Sequence, residues 1–179
     1  MEKYLAMLRG INVSGQKLIK MEVLKKQVEG MGLTNVSTYI QSGNILFETE
    51  TTDKLRISEN ISAMIQKEYG FQVPVVVKSK EDLKFTLLNN PFQAEHPEEI
   101  DFLYVTFLSD SANPDLVTQI DISGLHPEAF AVTHDLVYVY CPKGYGRTKL
   151  NNNFFENKLK LLGTTRNWKT VLKLSELLC

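Results

Sequence analysis

The first eighty residues alternate between apolar patterns typical of strands and of helices. Residues 4–8 form an almost unbroken apolar run, as expected for a strand that is covered on both faces. Apolar residues then recur at intervals of three, four and three, which places them on one face of a helix ending at Gly32. The residues of this stripe are Met21, Leu24, Val28 and Met31.

A hairpin is predicted next, because two apolar segments, 36–41 and 45–47, flank Gly43 and Asn44. Gly followed by Asn suits a two-residue turn, since both residues tolerate a positive φ.

A second helix and a fourth strand complete the first half of the chain. Asp53 is placed to cap the helix, and Gly70 to end it. The strand is predicted at 73–77, with Pro74 marking its start or a sheet edge. The order strand, helix, strand, strand, helix, strand is that of a ferredoxin-like α/β plait.

A new pattern starts after a connecting segment. Residues 79–82 resemble the capped start of a short helix, and residues 90–99 are the best candidate for a linker. A strand at 102–108 follows, and Asn113 with Pro114 marks the start of a short helix.

The last third of the chain predicts a hairpin and two helices. The hairpin strands are 129–133 and 136–141. A helical stripe of Phe155, Leu159 and Leu162 stops at Gly163, and Asn167 caps the final helix.

We therefore predict an α+β protein of two ferredoxin-like halves, each an antiparallel sheet with its helices on one face. The first half spans residues 1–78, the connecting helix and acidic linker 79–101, and the second, degenerate half with an extra C-terminal helix 102–179. The face of the first sheet away from the helices has to be covered by the rest of the chain or by a second subunit, so a homodimer is one expectation.

Composition narrows the class of protein. The 179 residues are 43% apolar and 23% charged, as in globular proteins. No apolar run approaches the roughly 18 residues that a membrane span requires, and the N-terminus runs into a strand pattern without a secretory-signal layout. A cytoplasmic protein is expected. Two cysteines do not indicate a disulfide framework.

Charge is unevenly distributed although the net charge is −1. Residues 81–121 contain nine acidic residues and one basic residue, whereas 143–173 contain eight basic residues and one acidic residue. This segregation indicates either an anion-binding face or two stretches that pair with each other or solvate different faces.

Four polar segments built around Gly, Asn and Arg lie at predicted strand ends and at a helix start. They are Leu8–Asn12, Gln41–Asn44, Gly144–Lys149 and Thr164–Trp168. Backbone N–H groups at such places are available to an anion, and arginine pairs with carboxylates and phosphates. Arg166 beside a helix start would repel the helix dipole unless an anion or an acid lay between them.

These segments give a set of candidate ligand-binding residues: Arg9, Asn12, Asn44, Arg147, Lys149, Arg166 and Asn167. The alternative is structural. Glycine then serves the turns, Asn167 is an ordinary N-cap, and the arginines pair with acids inside the fold.

Conventional catalytic and metal-binding sets are not predicted, and neither is a cofactor. Cys141 and His134 are too far apart in the predicted hairpin to interact. His96 and its neighbouring glutamates match no standard metal spacing. An RNA-recognition motif is disfavoured, because the basic-aromatic signature is absent.

Three of the polar segments together resemble the bacterial family called domain of unknown function 1697. The matching stretches are Leu8–Gly15, Tyr39–Asn44 and Thr165–Trp168, with Ser14 and Lys169 as small departures. The resemblance implies two ferredoxin-like halves and implies no activity.

Three functions therefore stay open. The first is a binding module for an anionic ligand, a nucleotide or nucleic acid. The second is an enzyme acting on a phosphorylated or carboxylated small molecule, which requires an acid or base in the same cleft. The third is a structural or protein-interaction role, in which the motifs pack the two halves.

Overall fold

A computed structural model describes all residues, 1–179, as eight strands and seven α-helices. The chain divides into two compact units. Unit 1 comprises residues 1–84 and 174–179, and unit 2 comprises residues 85–173.

Unit 1 contains strands β1 (Glu2–Leu8), β2 (Thr34–Tyr39), β3 (Asn44–Thr49) and β4 (Val75–Ser79), with helices α1 (Met21–Glu29) and α2 (Lys54–Tyr69). The sheet order is β2-β3-β1-β4 and every neighbouring pair is antiparallel. Helix α3 (Lys80–Leu88) follows β4.

Unit 2 continues with α4 (Pro91–Glu95), β5 (Leu103–Leu108), α5 (Pro114–Thr118), β6 (Ala129–Thr133) and β7 (Leu136–Tyr140). It is completed by α6 (Asn152–Leu159), β8 (Gly163–Asn167) and the first part of α7 (Trp168–Leu178). The order of the second sheet is β6-β7-β5-β8, again antiparallel throughout.

Each unit has an apolar core between one sheet face and its helices. In unit 1, Ala6 and Phe47 from the central strands share a core with Leu24 of α1 and Ile61 of α2. Helices α1 and α2 therefore cover the same sheet face. In unit 2, strands β5 and β7 share a core with Phe155 and Leu159 of α6.

The opposite face of strand β1 is buried as well. Leu5 and Met7 alternate with the core residues of unit 1 and have no exposed surface in the single chain. A homodimer was expected because this sheet face would otherwise be uncovered. Since the face is buried in the single chain, that reason does not apply.

Several predicted helix signals are confirmed. The carboxylate of Asp53 accepts a hydrogen bond from Arg56 N at 3.0 Å, and Gly70 ends α2 with φ +76°. Ser79 and Asp82 form a capping box, in which each side chain accepts a bond from the other residue's backbone N–H (3.2 and 2.7 Å).

Three local predictions are wrong. The hairpin turn comprises residues 40–43 rather than Gly43 and Asn44, because Asn44 already pairs with Tyr39 as the first residue of β3. Helix α6 ends at Leu159, not at Leu162, because Lys160 adopts a left-handed conformation (φ +58°). Gly163 therefore begins a strand, β8, which the sequence did not predict.

The predicted linker, 90–99, is folded in the structure. Asn90 caps α4, and Phe92 stacks on Tyr140 with ring centroids 6.3 Å apart. The linker was predicted from Asn90 and Pro91. An Asn-Pro pair is also typical of a helix start, because proline suits the first helical position.

No helix combines the length and the apolar character that a membrane span requires.

Candidate functional site

The first two polar segments meet in unit 1 through the side chain of Asn12. Its Nδ2 donates to Ile19 O (3.0 Å) and to Gln41 O (2.9 Å), and its Oδ1 accepts from Ile19 N (2.9 Å). Both hydrogens of the amide are thus used inside the chain. Asn12 closes the loop after β1 and holds it against the β2–β3 turn.

Gly43 fits this junction because it has no side chain. A Cβ atom there would lie 2.8 Å from Leu8 Cβ and 2.8 Å from Ile11 Cδ1, and the backbone has φ +80°. The carbonyl of Gly43 accepts from Leu8 N at 2.8 Å. The glycine of the second segment therefore serves close packing against the end of β1.

Asn44 and Arg9 lie at the same end of the first sheet. Asn44 is fully buried, and its Nδ2 donates to Tyr39 O (3.0 Å) and Ser42 Oγ (3.1 Å), so it orders the hairpin turn. Arg9 is half-buried after β1, and its backbone N–H donates to Pro74 O at 3.0 Å.

The third polar segment is an anchored loop that presents two cations. Gly144 has φ +87°, and residues Tyr145–Arg147 form one turn of 3-10 helix. The Tyr145 hydroxyl donates to Thr165 Oγ1 at 3.1 Å, and the Thr148 hydroxyl donates to a Glu128 carboxylate oxygen at 2.9 Å.

Arg147 and Lys149 flank Thr148, and both side chains are exposed. We name the segment Gly144–Lys149 the cation loop. The bonds of Tyr145 and Thr148 hold it in place, because both side chains are fixed to other elements of unit 2.

The fourth segment begins in a strand that was not predicted and ends at the predicted helix start. Arg166 lies in edge strand β8, opposite Val105, and directly precedes Asn167. Only 8% of the residue is exposed, and Nη1 donates to Thr164 Oγ1 (2.8 Å) and Thr165 O (3.0 Å). Burial lowers the pKa of Arg166 to about 10, because the charged form is desolvated.

Asn167 caps α7, as predicted, since its Oδ1 accepts from Thr170 N at 2.8 Å. Trp168 is the first residue of that helix and has no exposed surface.

A polar network that sequence reasoning missed connects the third and fourth segments. The hydroxyl of Thr165 donates to Asn152 Oδ1 (2.7 Å) and lies 2.8 Å from the hydroxyl of Thr106. Asn152 N donates to the Tyr145 hydroxyl at 3.1 Å. Burial raises the pKa of Tyr145, so this hydroxyl stays protonated at neutral pH. The network fixes the cation loop to the edge strand.

The predicted residues thus fall into two groups. Unit 1 contains Arg9, Asn12 and Asn44, and unit 2 contains Arg147, Lys149, Arg166 and Asn167. Of the four predicted residues in unit 2, Arg147 and Lys149 carry exposed charges on an anchored loop.

A cluster of titratable side chains and a single buried thiol lie outside this loop. His96 stacks on Tyr140 with ring centroids 3.9 Å apart, and the Glu99 carboxylate contacts both His96 Nδ1 (3.2 Å) and the Tyr140 hydroxyl. Burial raises the pKa of the Cys141 thiol to about 11, which disfavours the reactive thiolate. No group of three or more His, Cys, Asp or Glu side chains is arranged to hold a metal ion.

Ion pairs neutralise some of the charges in the acidic and basic stretches. Lys169 from the basic stretch lies 2.5 Å from Asp101 of the acidic stretch, and Asp82 pairs with Lys54 at 2.7 Å. Both pairs are partly exposed.

Comparison with known proteins gives a family and a fold. A family model described as "Protein of unknown function (DUF1697)" matches residues 1–138. The chain is similar to the structure of a conserved bacterial protein, SP0830, from Streptococcus pneumoniae, with a TM-score of 0.78, 23% identity and 99% of each chain covered. No curated protein matches this chain.

Proposed function

This chain belongs to the DUF1697 family of proteins of unknown function, and we propose that it is a binding module for an anionic ligand, a nucleotide or nucleic acid. The observation that supports the proposal is the cation loop. Arg147 and Lys149 project from a segment whose neighbouring side chains, Tyr145 and Thr148, are anchored inside unit 2.

Anchoring favours binding because it reduces the conformational entropy that a flexible loop would lose. Arginine offers a planar fork that matches two phosphate oxygens, and lysine adds a point charge. The backbone N–H groups of Gly144, Arg147 and Thr148 already bond to carbonyl oxygens of residues 141–145, so the two cationic side chains supply the contacts. In this proposal Arg147 and Lys149 contact the ligand, whereas Asn167 and Arg166 shape the adjacent strand and helix.

A structural role is the second candidate, and the first two segments favour it. Asn12 uses both amide hydrogens inside unit 1, and Gly43 has no room for a side chain. Asn44 is buried under its own turn. Here the motifs stabilise loops.

Charge neutralisation distinguishes the two candidates. We expect the double variant Arg147→Gln/Lys149→Gln to bind a fluorescent single-stranded oligonucleotide or nucleoside triphosphate at least tenfold more weakly than the unmodified protein, because each charged hydrogen bond contributes about 1.5–3 kcal/mol. Fluorescence anisotropy reports the affinity of the oligonucleotide and competition that of the triphosphate.

The matched control is Lys26→Gln/Lys67→Gln, which removes the same charge from exposed positions of unit 1. Equal affinity of the two double variants would refute contact at the cation loop. If neither ligand binds the unmodified protein, the structural role is favoured.

We also propose that each sheet with its helices is a ferredoxin-like α/β plait, with halves at 1–78 and 102–179 joined by 79–101. The strand orders and the sequence of strands and helices in each unit support this assignment. A cytoplasmic location is supported by the two free cysteines, since cytosolic thiols stay reduced.

A further inference from the structure

A cavity of about 260 Å³ lies in unit 1, and no residue of the four polar segments lines it. It is formed where the turn after α1, the end of β3 and the first turns of α2 meet. Its polar walls are Thr49, Thr51, Arg56 and Asn60, and its apolar walls include Leu33 and Ile57.

The charged wall of the cavity is a guanidinium without an acidic partner. Arg56 lies in the first turn of α2 and makes no ion pair or side-chain hydrogen bond. Its backbone N–H is already bonded to Asp53, so the helix end itself is capped and does not provide the site. What remains available at this position is the side chain, with its five N–H donors.

Asn60 extends the same wall. It lies four residues after Arg56, and residues so spaced on a helix have neighbouring side chains, with Cβ atoms about 5–6 Å apart. The amide of Asn60 makes no hydrogen bond within the chain, so its two N–H donors are available beside the guanidinium.

Thr49 and Thr51 add hydroxyl groups to the lining. Thr49 Oγ1 accepts a hydrogen bond from Thr51 N at 3.2 Å, which leaves the hydroxyl hydrogen of Thr49 free to donate. All polar side chains that line the cavity can therefore donate, and none of the lining residues is acidic.

We propose that this cavity binds a small organic carboxylate, with Arg56 as the bidentate partner of the carboxylate and Asn60 beside it. A carboxylate accepts and does not donate, which matches a wall of donors. Arg56 is the single cation of the lining, and it balances one negative charge, so a monoanion fits better than a phosphate dianion. Leu33 and Ile57 provide an apolar surface for a short hydrocarbon chain.

The size of the cavity limits the ligand. Pockets for drug-sized ligands measure about 300–1,000 Å³, and this cavity is smaller. An acid of a few carbons is therefore the expected class.

The test is a titration of ¹⁵N-labelled protein with butyrate, followed by NMR at constant ionic strength. We expect saturable shifts confined to amides around the cavity, such as those of Leu33, Thr51 and Asn60. Butyramide, which has the same shape without the charge, should give at least tenfold weaker binding, because the charged hydrogen bonds are lost.

Variants assign the contact. Arg56→Gln should weaken butyrate binding between about tenfold and a hundredfold, and Arg56→Lys should give an intermediate loss because the fork is absent. Lys67→Gln is the matched control, since it removes one exposed charge from the same helix outside the cavity, and it should leave the affinity unchanged.

Three results would overturn the proposal. The first is equal butyrate affinity of Arg56→Gln and Lys67→Gln, and the second is the absence of saturable shifts at the amides around the cavity. The third is tighter binding of inorganic phosphate than of butyrate, read from those same amides. Binding at the cation loop is followed separately through the amides of residues 144–149, so the two proposals can fail independently.

Discussion

Replacing Gly43 by alanine tests the packing of the second polar segment. The added Cβ would lie 2.8 Å from both Leu8 Cβ and Ile11 Cδ1, well inside the ordinary contact distance of about 3.5–4.0 Å between carbon atoms. Leu8 is the last residue of a central strand and Ile11 is buried, so neither neighbour can move without disturbing the core. Overpacking of this kind costs about 1–3 kcal/mol.

The backbone adds a second cost. Gly43 has φ +80°, and the left-handed conformation costs a non-glycine residue about 1–2 kcal/mol. The two effects together predict that Gly43→Ala lowers the free energy of unfolding by about 2–5 kcal/mol.

Gly15→Ala provides the matched control. Gly15 has φ +73° and no atom within 4 Å of the position that a Cβ would take, so only the backbone cost applies. The gain from a less flexible unfolded chain is similar for both variants and cancels in the comparison.

The assay is equilibrium urea unfolding monitored by far-UV circular dichroism. We expect Gly43→Ala to be less stable than Gly15→Ala by about 1–3 kcal/mol. If the two variants are equally stable, the close approach of Gly43 to Leu8 and Ile11 does not constrain the fold, and the structural explanation of this motif is refuted.

Three further outcomes follow from individual contacts. Asn12→Ala should lower the free energy of unfolding by about 1–3 kcal/mol, since three hydrogen bonds to the backbone of Ile19 and Gln41 are lost. Unchanged urea unfolding would contradict this role. Burial alone would raise the pKa of Asp82, but hydrogen bonds from Lys54 and from a backbone N–H lower it. A depressed folded-state pKa stabilises the protein above the unfolded pKa, so this stabilisation should be lost as the pH falls below about 4. Asp82→Asn should therefore reduce the dependence of the melting temperature on acid pH. If the variant and the unmodified protein show the same dependence, Asp82 does not contribute this stabilisation. Cys179 is exposed, whereas the Cys141 thiol is buried and has a raised pKa. Iodoacetamide at pH 8 should therefore alkylate only Cys179 in the folded protein, as detected by mass spectrometry. Rapid alkylation of Cys141 would show that its thiol is accessible.

The sequence predicts those elements whose signals are local. The caps at Asp53, Asn113 and Asn167 each use a side chain that accepts a bond from a backbone N–H two or three residues later. Such bonds depend only on neighbouring residues, so composition and spacing reveal them.

Strand β8 could not be predicted in this way. Its sequence, Gly-Thr-Thr-Arg-Asn, contains no apolar residue, and yet Thr164 and Arg166 are buried. The strand forms by pairing with β5, which is more than fifty residues away in sequence. A period-two apolar pattern, the usual signal of a half-buried strand, is absent.

The candidate site shows the same division. Sequence patterns pointed to Arg147 and Lys149, which are exposed. They could not show that Asn12 uses its amide inside the chain, because a free asparagine and one bonded to a distant loop are identical in sequence. Tyr145 and Asn152 also escaped notice, since their shared contact with Thr165 exists only in the folded unit.

The salt dependence of oligonucleotide binding tests the proposed function most directly. Each phosphate contact to a single strand contributes about −0.7 to the slope of log K against log salt concentration. If Arg147 and Lys149 each contact a phosphate, the unmodified protein should bind saturably and Arg147→Gln/Lys149→Gln should have a slope shallower by about 1.4. An unchanged slope in the double variant, or no binding at low salt, would contradict the account.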